Sequence, residues 1–184
     1  MLYRLISYLL ILFIPVLNSA QGEFTFPQKL DLSGFQGTVV ETGNLFISGQ
    51  PDSAAFVRLK ENGVTTVINL RTQREMDNKN YVPFNEKELV ETLCMKYIHI
   101  PIGGTETPYT PEALENFAKA LESVKGKALI HCTVAWRASH IFAAYLIKYK
   151  DFPAAKAIEY ARGINFGDLP IEGLLNQKLL MDIK

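Results

Sequence analysis

The feature that most constrains the fold of this chain is an alternation, beginning after Asn44, of short apolar strands with longer helical segments. The predicted strands are Leu45–Ser48, Val64–Leu70, Tyr97–Ile102 and Ala128–His131. The predicted helices between them run from Asp52 or Ser53 to Asn62, from Asn85 to Cys94, and from Thr110 to Val124. Strands separated by helices of about ten residues or more form βαβ units with right-handed connections. The pattern therefore predicts an α/β fold, with a mainly parallel central sheet and helices on both faces.

The segments on either side of this alternation predict one domain with a helical C-terminal part. A polar lead-in over residues 21–43 contains one strand candidate, Thr38–Glu41, and a second polar stretch covers Arg71–Asn80. From Arg137 onward the predicted helices are Arg137–Lys148, Pro153–Ile164 and Ile171–Met181. The 184 residues contain no internal repeat and no second core, so we expect one domain from residue 30 to 184.

The first residues have the layout of a secretory signal peptide. A positive start at Met1–Arg4 precedes the apolar run Leu5–Leu17, and small residues follow at Ser19, Ala20 and Gly22. This predicts a signal peptide over residues 1–20, cleaved near positions 20–22, and an exported protein that is periplasmic or secreted. The alternative is an uncleaved anchor, but the run is shorter than the about 20 apolar residues of a membrane helix. We therefore expect no stable membrane association after cleavage.

The charge balance limits the kinds of partner. The chain has 19 Lys plus Arg and 19 Asp plus Glu, a formal net charge of zero. Binding to nucleic acid normally uses a basic face, so no nucleic-acid partner is expected. Recognition of a phosphate must then depend on a local cluster of groups.

The most reactive constellation lies where the last predicted strand meets the next helix. Cys132 follows the strand directly, and Arg137 stands where the helix begins. Free backbone N–H groups and the helix dipole converge at such a junction, which can bind an anion and favours a thiolate. Cys132 is therefore the predicted nucleophile, and Arg137 is predicted to bind two phosphate oxygens through its planar fork. The candidate substrate-binding residues are His131, Thr133, Val134, Ala135, Trp136 and Ser139.

The implied reaction is a pair of displacements at phosphorus. Cys132 attacks the phosphoryl group and expels an alcohol, and water then hydrolyses the cysteinyl-phosphate. We expect His131 to order the loop through hydrogen bonds, and Ser139 or Thr133 to hydrogen-bond the sulfur. The sequence indicates no cofactor and no cluster of metal ligands.

The run His131-Cys132…Arg137 after a strand resembles the signature loop of protein tyrosine and dual-specificity phosphatases. Those enzymes usually have five residues between Cys and Arg, whereas this chain has four, as in the bacterial branch of beta-lactamase-hydrolase-like phosphatases. The resemblance extends from Leu45 to Lys148 through Phe46–Pro51, Val67–Arg71 and Tyr97–Ile102. It implies a compact dual-specificity-phosphatase-like fold. It also implies metal-free hydrolysis of phosphomonoesters on a small molecule or a protein, such as phosphotyrosine or phosphoserine.

The resemblance further implies a general acid, usually an Asp in the loop after the strand that precedes the signature helix. That loop is Gly103–Pro108 here, and Glu106 is its nearest carboxylate, so Glu106 is the candidate acid. The alternative is that Glu106 is a solvated loop residue. Ala138 replaces the hydroxyl residue usually found after the Arg, which predicts slow breakdown of the intermediate. Trp136 is expected to wall the pocket or, in preference, to pack against a helix.

Two other functions remain open at this stage. Four residues between Cys and Arg is also the spacing of rhodanese-type sulfurtransferases, in which the Cys carries a persulfide. The helical tail and the His-Cys pair favour the phosphatase over that alternative. A catalytically weak phosphate-binding module is the third possibility, because no general acid is evident.

A few polar residues outside the loop have alternative roles. Cys94 either forms a regulatory disulfide with Cys132 or, in the favoured interpretation, is a buried apolar residue. Arg71 and Arg74 follow a strand at the edge where parallel sheets gather ligands, so each either assists substrate binding or lies in solvent. The remaining two candidates, both expected to be structural, are His99 and His140.

Overall fold

The computed structural model describes residues 24–167 and 170–179. The strands are β1 Gln28–Lys29, β2 Val39–Thr42, β3 Leu45–Ser48, β4 Val64–Asn69, β5 Lys96–His99 and β6 Lys127–His131. The helices are α1 Ser53–Glu61, α2 Gln73–Asp77, α3 Glu86–Thr92, α4 Pro111–Glu122, α5 Trp136–Tyr149, α6 Ala154–Arg162 and α7 Ile171–Leu175. The predicted signal peptide lies outside the described residues. Within them, no helix is both long enough and apolar enough to cross a membrane.

The strands form one sheet in the order β1-β2-β3-β6-β4-β5. The hairpin β2–β3 and the short edge strand β1 pair antiparallel. The pairings β3–β6, β6–β4 and β4–β5 are parallel, because each of these strands is separated in sequence by a helical crossover. The prediction of a mainly parallel sheet is confirmed. The carboxyl end of β6, between β3 and β4, is where such a sheet gathers its ligands.

Helices cover both faces of the sheet, as predicted. Successive strand residues point to opposite faces, so Leu129 of β6 packs in one hydrophobic cluster and Ile130 in the other. The smaller cluster includes Phe56 of α1 and Val90 of α3. The larger cluster takes its helical members from α4, α5, α6 and α7.

The structure contains a strand, β1, that was not predicted, and it differs from the sequence-based expectation at three further elements. The stretch Arg71–Asn80, predicted to be irregular, contains α2. Strand β5 ends at His99 rather than Ile102, although the N–H groups of Ile100 and Ile102 still donate to the carbonyls of Asn69 and Leu70, at 2.9 and 3.1 Å. Helix α7 ends at Leu175, well before Met181, because Asn176 adopts a left-handed conformation with φ of 52°.

Candidate active site

The segment Cys132–Arg137, here called the signature loop, is held against the carboxyl end of β3. The N–H of Cys132 donates to the carbonyl of Ser48 at 3.3 Å, and the N–H of Gln50 donates to the carbonyl of Thr133 at 3.0 Å. A Cβ at Gly49 would lie 1.5 Å from the carbonyl oxygen of Gln36 and 2.8 Å from that of Thr133. Only glycine therefore allows the two backbones to approach so closely.

The signature loop turns into α5 through a residue with strained backbone. Ala135 is the N-cap of α5 and adopts a left-handed conformation with φ of 67°, where a residue with a Cβ costs about 1–2 kcal/mol. Its side chain is fully buried, as is that of Ala138. Backbone that alternates between right- and left-handed conformations directs successive N–H groups to one side and makes an anion-binding concavity. The geometry of the loop is therefore suited to bind an anion beside Cys132.

Arg137 is fixed by several acceptors. Its Nη1 and Nη2 donate to the two carboxylate oxygens of Glu75 at 2.7 and 2.6 Å, a bidentate pair. Nη1 also donates to the carbonyls of Leu70 and Ile102, at 3.3 and 2.9 Å. Nη2 also donates to Thr133 Oγ1 at 2.8 Å. Among the described residues, the Nε–H of Arg137 has no acceptor, so the edge formed by Nε and Nη2 is the one available to a ligand.

The partner of Arg137 is a fully ionised carboxylate. Burial alone raises the pKa of Glu75, but hydrogen bonds from Arg137, Thr133 and the backbone of Thr72 outweigh it and hold the pKa at about 2. Burial likewise lowers the pKa of Arg137, but Glu75 and Cys132 outweigh it and raise the pKa above its ordinary value. Both groups therefore stay charged throughout the physiological range.

A cleft of about 500 Å³ opens beside Arg137. Its walls are α2 and the loop that follows Pro101, and they include Arg74, Glu75, Gly103, Glu106 and Tyr109. The loop is closed by a backbone hydrogen bond of 2.6 Å from Gly103 to Thr107. Glu106 is exposed on this turn and lines the same cleft as Arg137. Glu106 therefore lies on the solvent side of the cleft beside Arg137.

The remaining predicted loop residues have separate surroundings. The hydroxyl of Thr133 donates to Glu75 at 2.7 Å, and Val134 is 42% exposed at the tip of the loop. Trp136 packs on His140, with ring centroids 4.5 Å apart. The hydroxyl of Ser139 donates to the carbonyls of Trp136 and Asn165, at 2.7 and 3.0 Å, rather than to the sulfur of Cys132 as predicted.

Two residues outside the loop, Arg71 and Cys94, correct earlier expectations. Arg71 is only 1% exposed, so its solvated alternative is wrong, whereas Arg74 is exposed. Cys94 is exposed and both cysteines are free thiols, so the expectation that Cys94 is buried is wrong. His99 and His140 contact backbone carbonyls, which fits the structural role predicted for them.

The sequence analysis missed Glu75, which contacts Thr133 and Arg137 of the signature loop, and Glu86, which contacts His131 just before it. Glu75 is the third residue of a capping box in which the Thr72 side chain and the Glu75 side chain each bind the other's backbone N–H. The pattern Thr-x-x-Glu in the sequence is a signal for such a box and could have predicted α2. Glu86 is 2% exposed and lies 3.0 Å from His131 Nε2, a contact for which the sequence has no signal. Within residues 24–167 and 170–179, no group of three or more His, Cys, Asp and Glu could hold a metal ion.

Comparison with known proteins identifies the family to which this chain belongs. The family model described as a DSP-PTPase phosphatase fused to NAD+ kinase matches residues 35–169. A beta-lactamase hydrolase-like protein of Xylella fastidiosa (strain Temecula1) is 31% identical over 101 residues, which are 54% of this chain and 22% of the relative. The chain thus spans only a minor part of the length of the curated relatives that it matches.

Solved structures share the fold. A putative phosphatase (DUF442) from Shewanella putrefaciens CN-32 has 28% sequence identity and a TM-score of 0.59, covering 85% of this chain and 93% of that one. TpbA of P. aeruginosa, solved in complex with pTyr, has 16% identity and a TM-score of 0.56, covering 82% of this chain and 84% of that one. The second likeness is one of fold alone. With a family model matched over most of its length and a cysteine loop at the end of its central strand, this chain belongs to the DSP-PTPase phosphatase family whose members are described as fused to NAD+ kinase.

Proposed function

We propose that this domain hydrolyses phosphomonoesters through a cysteinyl-phosphate formed on Cys132. The observation that carries the proposal is the placement of Cys132 and Arg137 on one loop at the carboxyl end of the central strand. There, Arg137 keeps an edge available for a ligand while its other donors are held by Glu75 and by backbone carbonyls. A guanidinium fixed in this way loses little conformational entropy when it binds an anion, so Arg137 is preorganised to bind a phosphate.

In the proposed reaction the thiolate of Cys132 attacks phosphorus, so that an S–P bond forms and the P–O bond to the leaving group breaks. Arg137 binds two phosphoryl oxygens through Nε–H and Nη2–H, which requires Nη2 to exchange Thr133 Oγ1 for a phosphate oxygen. The N–H groups of the signature loop bind the remaining charge. Water then attacks phosphorus, the S–P bond breaks, and inorganic phosphate and the thiolate of Cys132 are released.

The proton for the leaving oxygen comes, in this proposal, from Glu106. Two carboxylates line the cleft, Glu75 and Glu106. Glu75 has a pKa of about 2 and both of its carboxylate oxygens accept from Arg137, so it cannot deliver a proton to the leaving group. Glu106 is exposed on a turn and forms no ion pair within the described part of the chain, so it can approach a leaving group bound beside Arg137.

Glu106→Gln is expected to lower kcat for an alkyl phosphate by about 10²–10⁴-fold, the usual contribution of a general acid. An aryl phosphate with an acidic phenol is expected to lose much less, because its leaving group departs without a proton. The measurement is kcat for a series of phosphate esters of rising leaving-group pKa. Glu115→Gln, another exposed carboxylate, is the matched control. Equal rates for wild type and E106Q across the series would show that Glu106 is a solvated loop residue.

The proposed chemistry is tested by turnover of an aryl phosphate under reducing conditions with a chelator present. We expect release of inorganic phosphate that persists with the chelator. Transfer of sulfur from thiosulfate to cyanide, without phosphate release, would support the rhodanese alternative. Phosphate binding without turnover would support the binding-module alternative.

The proposed substrates are phosphorylated small molecules or proteins outside the cytoplasm. Export rests on the charged and apolar start of the chain, which lies outside the described residues. An aryl phosphate is the first substrate to try, because the fold is shared with a protein solved in complex with pTyr.

A further inference from the structure

A closed ring of contacts runs beneath the signature loop and returns to it on both sides of Cys132. Glu86 accepts from His131 Nε2 at 3.0 Å and from Gln50 Nε2 at 2.5 Å, through different carboxylate oxygens. The backbone N–H of Gln50 donates to the carbonyl of Thr133 at 3.0 Å. His131 and Thr133 are the chain neighbours of Cys132. We call His131, Glu86, Gln50 and Thr133 the buried ring.

The orientation of each side chain in the buried ring is determined by its partners. An ionised carboxylate only accepts hydrogen bonds, so Glu86 requires a proton on His131 Nε2 and directs the amide nitrogen of Gln50 toward itself. The opposite end of that amide, Gln50 Oε1, then accepts from Arg71 Nη1 at 2.7 Å. Gln50 therefore cannot turn its amide over without losing contacts to both Glu86 and Arg71.

Packing of the hydrophobic core does not explain why a charged residue, Glu86, is buried on α3. Glu86 and Val90 are four residues apart on α3 and share its inward face, where an apolar residue would be expected. Glu86 is 2% exposed, Gln50 3% and His131 0%. Burial raises the pKa of Glu86, but His131, Gln50 and Asn69 outweigh it, so the pKa lies below its ordinary value. A buried ion network is often no more stable than an apolar replacement, whereas it does specify orientation.

We propose that Glu86 and Gln50 are positioning residues that hold the backbone on both sides of Cys132, so that the sulfur and the loop N–H groups converge on one phosphoryl group. This inference rests on the proposed function, because it concerns the same loop. Neither side chain contacts the phosphate. Their effect passes through His131 on one side of the nucleophile and through the carbonyl of Thr133 on the other.

Exchange of the two side chains tests the proposal. Glu86→Gln leaves no anion to orient His131 and Gln50, and Gln50→Glu places two carboxylates against each other. Each single variant is expected to lower kcat/KM for an aryl phosphate by about 10²-fold, the cost of a misplacement of about 1 Å at reacting atoms. The double variant Q50E/E86Q restores a carboxylate–amide pair of the same net charge, with the carboxylate now beside Arg71. It is expected to recover most of the loss.

Two further measurements separate positioning from stability. Thr42→Val removes a fully buried hydroxyl that donates to the carbonyl of Thr25 at 2.5 Å, on β2 and without a contact to the buried ring. It is expected to lower the midpoint of thermal unfolding and to leave kcat/KM unchanged. Binding of inorganic phosphate, measured by calorimetry far below that midpoint, is expected to weaken in both single variants and to recover in the double variant.

The outcomes distinguish the inference from the function on which it rests. If wild type binds phosphate but hydrolyses no ester, the proposed function fails, while the phosphate affinities of the variants still test the buried ring. The inference is overturned if E86Q and Q50E unfold at lower temperature but keep the wild-type kcat and phosphate affinity. It is equally overturned if the double variant is no better than the worse of the two single variants.

Discussion

Cys132→Ser is expected to abolish turnover of an aryl phosphate, with a loss on the order of 10⁶-fold, as when the nucleophile is removed from other covalent enzymes. Serine fills nearly the same volume, so the buried loop should keep its conformation. Its hydroxyl is far less acidic than a thiol, however, and no base lies in the signature loop to activate it. The measurement is phosphate release at high enzyme concentration, together with intact mass spectrometry to detect a phosphorylated enzyme.

The control for this variant is the other cysteine. Cys94 is exposed at the end of α3, and Cys94→Ser should retain wild-type activity. Cys132→Ser should also keep its affinity for inorganic phosphate, because Arg137 and the loop N–H groups remain. Turnover that survives in C132S, or a phosphorylated residue other than Cys132, would contradict the cysteinyl-phosphate mechanism.

The parts of the fold predicted from the sequence are those in which local signals agree with tertiary packing. The run from Val64 is rich in β-branched residues and forms β4, and Thr110-Pro111 marks the observed start of α4. Helix α2 was not predicted because it has no buried residue and therefore shows no apolar periodicity. Its capping box is the only sequence signal for it. Strand β1 is two exposed residues long and depends on pairing with β2.

The candidate site divides in the same way. Cys132 and Arg137 could be predicted because they flank a strand–helix junction in one continuous segment. Glu75, Glu86 and Gln50 could not, because their roles depend on contacts across 62, 45 and 36 positions of the chain. Sequence patterns are evaluated over short segments, so they do not reveal contacts between residues this far apart in the chain. Arg71 was left undecided for the same reason, since only the fold shows that Gln50 meets it in the interior.

The pairing of Arg137 with Glu75 determines how the site responds to acid. The pKa of about 2 for Glu75 lies below the ordinary value of 4.5. A depressed carboxyl pKa contributes stability that is fully present above the ordinary value and is lost as the pH falls toward the depressed value. The ion pair is therefore intact at neutral pH and breaks only between about pH 4.5 and 2. Over the physiological range, Glu75 acts as a fixed support for Arg137 and leaves its Nε–Nη2 edge for phosphate.

Arg137→Lys is expected to lower kcat/KM for an aryl phosphate by about 10³–10⁵-fold, the range that arginine supplies to phosphoryl transfer in other enzymes. Lysine keeps the charge but has one nitrogen, which cannot bind Glu75, two backbone carbonyls and a phosphate together. The measurement is kcat and KM beside the affinity for inorganic phosphate. The matched control is Arg74→Lys, an exposed arginine of the same cleft, which should change kcat/KM little. If R137K keeps wild-type activity, as R74K is expected to do, the cleft attracts phosphate only through its overall charge, and the fixed fork of Arg137 has no special part in the reaction.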